Sequence, residues 1–290
     1  MSDWFNYQFV VDKENPTDGS FHFMVLEGHT LLKALLKLLV ELTGNRYISK
    51  LLIAVTTSKS SRMLIPLFVK VYRINLAEIK LPLSEYQSLH HFFTRVLKPG
   101  SRPIDNHEGA LVSPVDGVIR AFGSISETET YEVKDRQILL EEMLGSKEKA
   151  NQYKDGKYII LYLSPQHYHR IHSPIKGHIK GNWTLGGKSY PVNRIGIKYG
   201  NLPLSTNYRI ITEIESNKKN IAVVKVGALN VNSIHLTNQH EQVEPGEELA
   251  YFSFGSTVIL LIENDNFQFA EDVSAWREIK YGESLGVIAN

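Results

Sequence analysis

The chain has 290 residues, of which 42% are hydrophobic and 22% are charged, and its formal net charge is +1. These proportions are ordinary for a folded chain, and the length allows one large domain or one domain with an appendage. Because the chain contains no cysteine, disulfides, thiol catalysis and cysteine-ligated metal sites are excluded.

The N-terminal part is predicted to be irregular at first and then helical. Residues 1–29 contain a turn-like NPTDG sequence, and we expect no signal peptide because no basic stretch precedes an apolar one. A helical pattern follows over 30–42, where Thr30 can cap the first turn and Gly44 can end the helix. The same periodicity predicts further helices at about 45–55, 60–73 and 85–96.

Positive charge is concentrated in these predicted helices. Residues 31–73 hold eight Lys or Arg and one Glu, and the helix over 30–42 has a broad apolar arc around a stripe of Lys33, Lys37 and Glu41. A core helix with a solvated face would explain such a pattern. The charge and the width of the apolar arc favour a helix lying on an anionic membrane surface.

We therefore predict a membrane-associating region over 30–97, with the protein attached peripherally to the cytoplasmic face of the cell membrane. No run of roughly 18 uncharged apolar residues exists, so a transmembrane helix is not expected. Nucleic acid is the alternative partner for the cations, but no basic sequence interleaved with aromatic residues supports it, and we predict no nucleic-acid binding.

Beyond Gly100 the sequence changes to short β runs broken by Gly, Pro and Asn. The predicted fold class is α+β, with a small helical N-terminal part and a mostly antiparallel β domain over 98–290. The sequence GEELA at 246–250 is repeated as GESLG at 282–286, and such turns occur in barrel-sandwich carrier domains among many other β proteins. The predicted strands are 118–123, 157–163, 175–183, 208–214, 221–226, 249–254 and 257–262.

Two motifs carry candidate acid–base groups. Asp116 lies in the sequence SPVDG, where an ordinary turn or a carboxylate that orients a histidine would each explain it. Three histidines fall within the sequence HYHRIH at 167–172. On a strand His169 and His172 would face opposite sides, which argues against a shared metal, and we predict no metal site. Incidental imidazoles on a strand edge remain one explanation, and separate acid–base roles at neutral pH are the other.

The sequence FGST at 254–257 lies between two apolar runs. A lone Gly-Ser-Thr is most often a hairpin turn. Chemically, Ser256 Oγ can attack the carbonyl of Gly255 once a base takes its proton, which converts the peptide bond into an ester. β-Elimination and loss of ammonia would then leave a pyruvoyl group, an end product that requires serine rather than threonine or cysteine.

The three motifs together resemble those of the phosphatidylserine decarboxylases, in the same order and with similar separations. The likeness covers most of residues 30–290 and is greatest to the shorter bacterial members, although Phe254 and Asn232 replace a common leucine and a common glycine. It extends to three further sequences, which are YPVN at 190–193, NYR at 207–209 and VGA at 226–228.

The resemblance implies a zymogen that cuts itself between Gly255 and Ser256 and converts phosphatidylserine to phosphatidylethanolamine and CO₂. It implies that Asp116, His172 and Ser256 form the self-cleavage triad, and that His169 assists decarboxylation. A pyruvoyl group made from Ser256 would be the cofactor. The β chain and the α chain would stay associated, and the oligomeric state is left open, a homo-oligomer included.

Two alternative functions compete with the decarboxylase, and the first uses the same residues. A serine or zinc peptidase built on Asp116, the histidines and Ser256 would cut other proteins and would respond to serine inhibitors or chelators. A biotinyl- or lipoyl-like module would need an acceptor lysine at a hairpin tip, and the turn at 254–257 offers none.

Overall fold

The computed structural model describes most of the chain from residue 46 onward. The predicted irregular segment over 1–29 and the predicted helix over 30–42 lie outside the described residues, as do Phe254 and Gly255. The described residues are 46–125, 130–133, 136–192, 197, 199, 201–228, 233–253, 256–263 and 266–288.

Helices form the first part of the described chain, as predicted, but two of them are shorter than the sequence pattern indicates. The predicted helix over 60–73 is divided, because Pro66 at the start of its α-helical half has no N–H to bond into the preceding turn. The predicted helix over 85–96 has only five residues, because the side chain of Ser88 caps its start and Thr94 ends it. These elements are α1 (Arg46–Thr57), a 3₁₀ segment (Lys59–Leu64), α2 (Ile65–Tyr72), a 3₁₀ turn (Leu83–Glu85) and α3 (Leu89–Phe93).

No helix in the described part of the chain is long and apolar enough to span a membrane. The rest of the described chain is mostly strand, with three short helices, α4 (Leu140–Leu144), α5 (Lys147–Gln152) and α6 (Pro203–Thr206). The strands are β1 (Ala110–Val112), β2 (Gly117–Ser124), β3 (Thr130–Val133), β4 (Arg136–Leu139), β5 (Lys157–Leu163), β6 (Arg170–His172), β7 (Gly177–Leu185), β8 (Arg209–Ser216), β9 (Lys219–Gly227), β10 (Ile234–Leu236), β11 (Gln242–Val243), β12 (Glu248–Phe252), β13 (Ser256–Ile262), β14 (Phe267–Phe269), β15 (Glu278–Ile279) and β16 (Ser284–Ile288).

The largest sheet has eight strands in the order β11-β7-β8-β9-β13-β5-β2-β15, and all its pairs are antiparallel. This confirms the α+β class, and none of the four sheets in the described residues closes into a barrel. Strand β13 lies at the centre with every residue buried, because one face packs in a core with Leu161 and the other in a core with Ile160. Because β13 is central and buried, its first residue, Ser256, lies inside the protein.

The repeated glycine sequence forms a structural repeat. The Gly282 N–H donates to the carbonyl of Ser113 at 2.9 Å, and the Gly246 N–H donates to the carbonyl of Ser173 at 2.8 Å. Gly282 has a φ of +89° and Gly246 has a φ of +81°, a backbone conformation that residues with a side chain rarely adopt. Each glycine therefore joins a Ser-Pro turn to the strand that follows the glycine.

The two Ser-Pro turns also contact each other. The His172 N–H donates to the carbonyl of Pro114, and the Val112 N–H donates to the carbonyl of Pro174, both at 2.8 Å. These two hydrogen bonds hold the first Ser-Pro turn, which carries Asp116, against His172, the residue that precedes the second Ser-Pro turn. Two motifs that are far apart in sequence thereby become neighbours.

One charged residue lies inside the main sheet without a carboxylate partner among the described residues. Lys225 in β9 is fully buried, and its Nζ donates to Thr212 Oγ1 at 2.5 Å and to the Val223 carbonyl at 3.2 Å. Burial lowers the pKa of Lys225 to about 7. The folded protein therefore holds this amine largely neutral above neutral pH.

Candidate active site

Ser256 is the first residue of β13 and is completely buried. It lies between Leu163 of β5 and Gly227 of β9 in the register of the main sheet. Its Oγ has no hydrogen-bond partner in the part of the chain that the structure describes. Leaving a buried hydroxyl unpaired costs about 1–3 kcal/mol, so such a group needs an explanation other than stability.

Asp116 lies at the same end of the main sheet. It directly precedes β2, and the pairing of Val118 with Tyr162 places Gly117 opposite Leu163. A side chain at Gly117 would meet the Tyr162 carbonyl oxygen at 2.8 Å, so the close approach of the strands requires glycine. Strand β5 separates β2 from β13, and two strand spacings correspond to about 10 Å.

The carboxylate of Asp116 is held by a buried arginine. Arg102 donates from Nη2 to Oδ2 at 2.6 Å and from Nε to Oδ1 at 3.0 Å, and the Tyr281 N–H donates to Oδ1 at 2.9 Å. The same guanidinium contacts Glu78 Oε2 at 2.8 Å. The guanidinium offsets the charge of a carboxylate that is only 6% exposed.

His172 is neutral, and its geometry fixes its tautomer. Its Nδ1 lies 2.8 Å from the Gly246 carbonyl, which can only accept, so Nδ1 carries the proton and Nε2 keeps a lone pair. The Tyr168 hydroxyl lies 3.3 Å from that Nε2. Burial lowers the pKa of His172 to about 4, although the Gly246 carbonyl and the charges of Glu248 and Asp116 act in the opposite direction.

The bond expected between Asp116 and His172 is not among the hydrogen bonds of the described residues, because each side chain has other partners. Tyr281 connects them instead. Its N–H donates to Asp116, and its ring stacks on the His172 ring at a centroid distance of 3.9 Å and an angle of 6°. Asp116 therefore acts on this imidazole through its charge and through a shared tyrosine.

His169 is also neutral, and it has a free nitrogen. Its Nδ1–H donates to the His167 carbonyl at 2.8 Å, and its ring packs on Phe93 at a centroid distance of 4.0 Å. Its Nε2 is buried and has no partner among the described residues. Complete burial, with the nearby charge of Arg95, holds the pKa of His169 well below its usual range.

The strand register places the two histidines differently with respect to Ser256. The His169 carbonyl accepts from the Phe252 N–H at 2.9 Å, whereas His172 pairs with Glu248 in the ladder between β6 and β12. Phe252 is closer to Ser256 along the chain than Glu248 is. The backbone of His169 therefore pairs with a residue nearer to Ser256 than the backbone of His172 does. The two imidazoles thus have different surroundings.

A cavity of about 330 Å³ opens beside Asp116. Its lining includes Arg95, Arg102 and Tyr168, none of which the sequence motifs had identified as a site residue. Tyr168 lies inside the histidine motif and could have been noticed there. Arg102 and Tyr281 contact Asp116 only through the fold, so no local sequence pattern points to them.

Comparison with known proteins identifies related sequences over most of the chain. The family described as phosphatidylserine decarboxylase matches residues 89–287. The chain is 51% identical over 259 residues to a phosphatidylserine decarboxylase proenzyme of Anoxybacillus flavithermus, covering 89% of this chain and 98% of that protein. It is 49% identical over 258 residues to a protein of the same name from a Geobacillus strain, covering 89% and 100%.

Proposed function

Because this chain belongs to the phosphatidylserine decarboxylase family, we propose that it cuts itself before Ser256 and uses the resulting pyruvoyl group as its cofactor. The reaction of the family removes CO₂ from phosphatidylserine and leaves phosphatidylethanolamine, so the enzyme is a carboxy-lyase of phospholipid biosynthesis. The observation that carries the proposal is the buried Ser256 Oγ, which has no partner among the described residues and lies at the same end of the sheet as Asp116.

Self-cleavage begins at Ser256. Its Oγ attacks the Gly255 carbonyl, the peptide C–N bond breaks as the ester forms, and a neutral histidine takes the hydroxyl proton and returns it to the amine. Removal of the Ser256 α-proton then breaks the ester Cβ–O bond and releases the Gly255 carboxylate. The remaining dehydroalanine takes up water and loses ammonia, which leaves the pyruvoyl group.

We assign the proton transfer in cleavage to His172, as the resemblance implies. Its Nε2 has the lone pair that the hydroxyl proton needs, because Nδ1–H is fixed on the Gly246 carbonyl. The negative charge of Asp116 favours the imidazolium that forms. Arg102 and Tyr281 hold that carboxylate in position.

His169 is assigned to decarboxylation. A pyruvoyl group made from Ser256 would supply a ketone to hold the substrate amine and an electron sink for the departure of CO₂. The free Nε2 of His169 can accept the proton that the substrate ammonium loses and return it to the carbon from which CO₂ departs. Its burial excludes water that would compete for this proton.

The assignment predicts separable effects of the two histidines. His172→Ala should remain an uncut precursor, and Asp116→Asn should mature slowly or not at all. His169→Ala should be cut normally and lose roughly 10²–10⁴-fold in decarboxylation. Gel analysis and a CO₂-release assay on the same preparations measure both. An uncut His169→Ala with a normally cut His172→Ala would reverse the roles, and normal behaviour of both would exclude the mechanism.

We also propose that the helical part attaches the enzyme to anionic membrane from the cytoplasmic side. Leu67 and Val71 lie four residues apart on α2 and are 58% and 62% exposed, and Met63 of the preceding 3₁₀ segment is 85% exposed, so this region presents an apolar surface. Lysine and arginine side chains beside these apolar residues suit anionic lipid headgroups, and each contributes about 1 kcal/mol to membrane binding when it lies near the membrane surface. The exposed cations among residues 50–73 are Lys50, Lys59, Arg62, Lys70 and Arg73.

A further inference from the structure

The buried guanidinium of Arg95, beside residues 166–167, has donors without an acceptor among the described residues. Arg95 is 4% exposed, and its Nη2 donates to the carbonyls of Gln166 at 2.8 Å and His167 at 3.0 Å. Its Nε and Nη1 are buried and have no acceptor in the described part of the chain. Buried charged groups are normally paired and fully hydrogen-bonded, so these donors suit a partner of negative charge.

Arg95 differs from the other cations that line the cavity beside Asp116, because no carboxylate among the described residues forms an ion pair with it. Arg102 is paired with Asp116 and Glu78, and Lys280 lies 3.8 Å from Glu78. Arg95 has no ion pair with a carboxylate among the described residues, and it lines the same cavity. Although burial lowers the pKa of Arg95 to about 10, the guanidinium stays charged at neutral pH.

The guanidinium of Arg95 lies beside the imidazole assigned to decarboxylation. Arg95 Nη2 and His169 Nδ1 both donate to the His167 carbonyl, so the two side chains are fixed by one backbone oxygen. An anion bound to Arg95 would therefore lie close to His169. The substrate offers two anionic groups, which are its carboxylate and its phosphodiester.

The chemistry of the reaction favours the phosphodiester. The carboxylate loses its charge as CO₂ departs, so a cation bound to it would stabilise the substrate more than the transition state. The phosphodiester keeps its charge throughout and can be bound without opposing the reaction. We propose that Arg95 binds the phosphodiester of the phosphatidylserine headgroup, an inference that rests on the decarboxylase function proposed above.

The test measures binding of dimethyl phosphate, a phosphodiester without amine or carboxylate, to the purified mature protein by ³¹P NMR titration. Because this probe does not react with a pyruvoyl group, failure here is distinguishable from failure of the proposed chemistry. Arg95→Met should weaken binding about 10- to 100-fold, the range for hydrogen bonds to a charged group. Arg277→Met is the matched control, since Arg277 pairs with Asp272 and Glu283 and does not itself line the cavity.

Arg95→Lys keeps the charge and should retain more affinity than Arg95→Met, which provides a second variant if the methionine protein does not mature. Acetate is titrated in parallel by ¹H NMR as the carboxylate probe. The proposal is overturned if wild-type protein shows no saturable binding of dimethyl phosphate. It is also overturned if both Arg95 variants bind this probe as tightly as wild type, or if they lose acetate binding alone.

Discussion

Replacing Arg102 with methionine should destabilise the protein because it leaves the Asp116 carboxylate buried without its cation. Asp116 is 6% exposed, and the substitution removes the contacts from Arg102 Nε and Nη2 and leaves the Tyr281 N–H as its donor. Breaking a buried pair in this way costs about 3–5 kcal/mol. Glu78 adds little to this cost because its side chain is 25% exposed.

The magnitude is measured most clearly in a Ser256→Ala background, where the chain cannot be cut and unfolds as a single molecule. Urea unfolding followed by circular dichroism gives the free energy of unfolding of each variant. Adding Asp116→Asn to Arg102→Met removes the unpaired charge, so the double variant should recover most of the lost stability. With Ser256 restored, the double variant should still be cut poorly, because the charge that favours the imidazolium is absent.

Two results would refute this account of the pair. A loss below about 1 kcal/mol for Arg102→Met would mean that the ion pair is worth no more than one at the surface. Normal self-cleavage of the double variant would mean that neither the Asp116 charge nor its arginine partner is needed for maturation. The second result would separate Asp116 from the proposed role of His172.

Two further predictions concern stability and membrane binding. Lys225→Met should be more stable than wild type at pH 7. Because folding lowers the pKa of Lys225 from its ordinary 10.5 to about 7, the unfolded chain binds an extra proton in this interval. Wild-type stability should therefore rise between pH 7 and 10.5, by up to about 1.4 kcal/mol per pH unit, and Lys225→Met should lose this slope in urea unfolding at several pH values. A slope that persists in the variant would mean that other groups cause it. Leu67→Glu/Val71→Glu should reduce flotation with anionic liposomes, whereas undiminished flotation would mean that another segment binds the membrane.

The main sheet was predictable because its strands are apolar runs bounded by turn residues. Strand β5 matches its predicted bounds, and the predicted strand over 257–262 becomes β13 with one more residue, Ser256. That residue matters, because it places the serine inside a core strand rather than in the predicted turn. The short helices α4 and α5 were missed, since each has only five or six residues and no sustained helical period.

The candidate site was predictable only in part. Asp116 and the two histidines lie in compact motifs, and the fold brings those motifs together through the bonds of Pro114 and Pro174. The partners that tune them come from distant segments, and Tyr281 contributes a backbone N–H and a ring face, which no motif encodes. The sequence could therefore suggest the chemical groups but not the arginine that neutralises Asp116.

The intact mass of the purified protein tests the central claim most directly. Self-cleavage before Ser256 predicts two species, a chain of residues 1–255 and a 35-residue chain of residues 256–290. The short chain should be lighter by one ammonia than a peptide that begins with serine, and it should be blocked to Edman degradation because a pyruvoyl group has no α-amine. Ser256→Ala should give a single uncut mass and no CO₂ release from phosphatidylserine. A single intact chain in a preparation that decarboxylates phosphatidylserine would contradict the account.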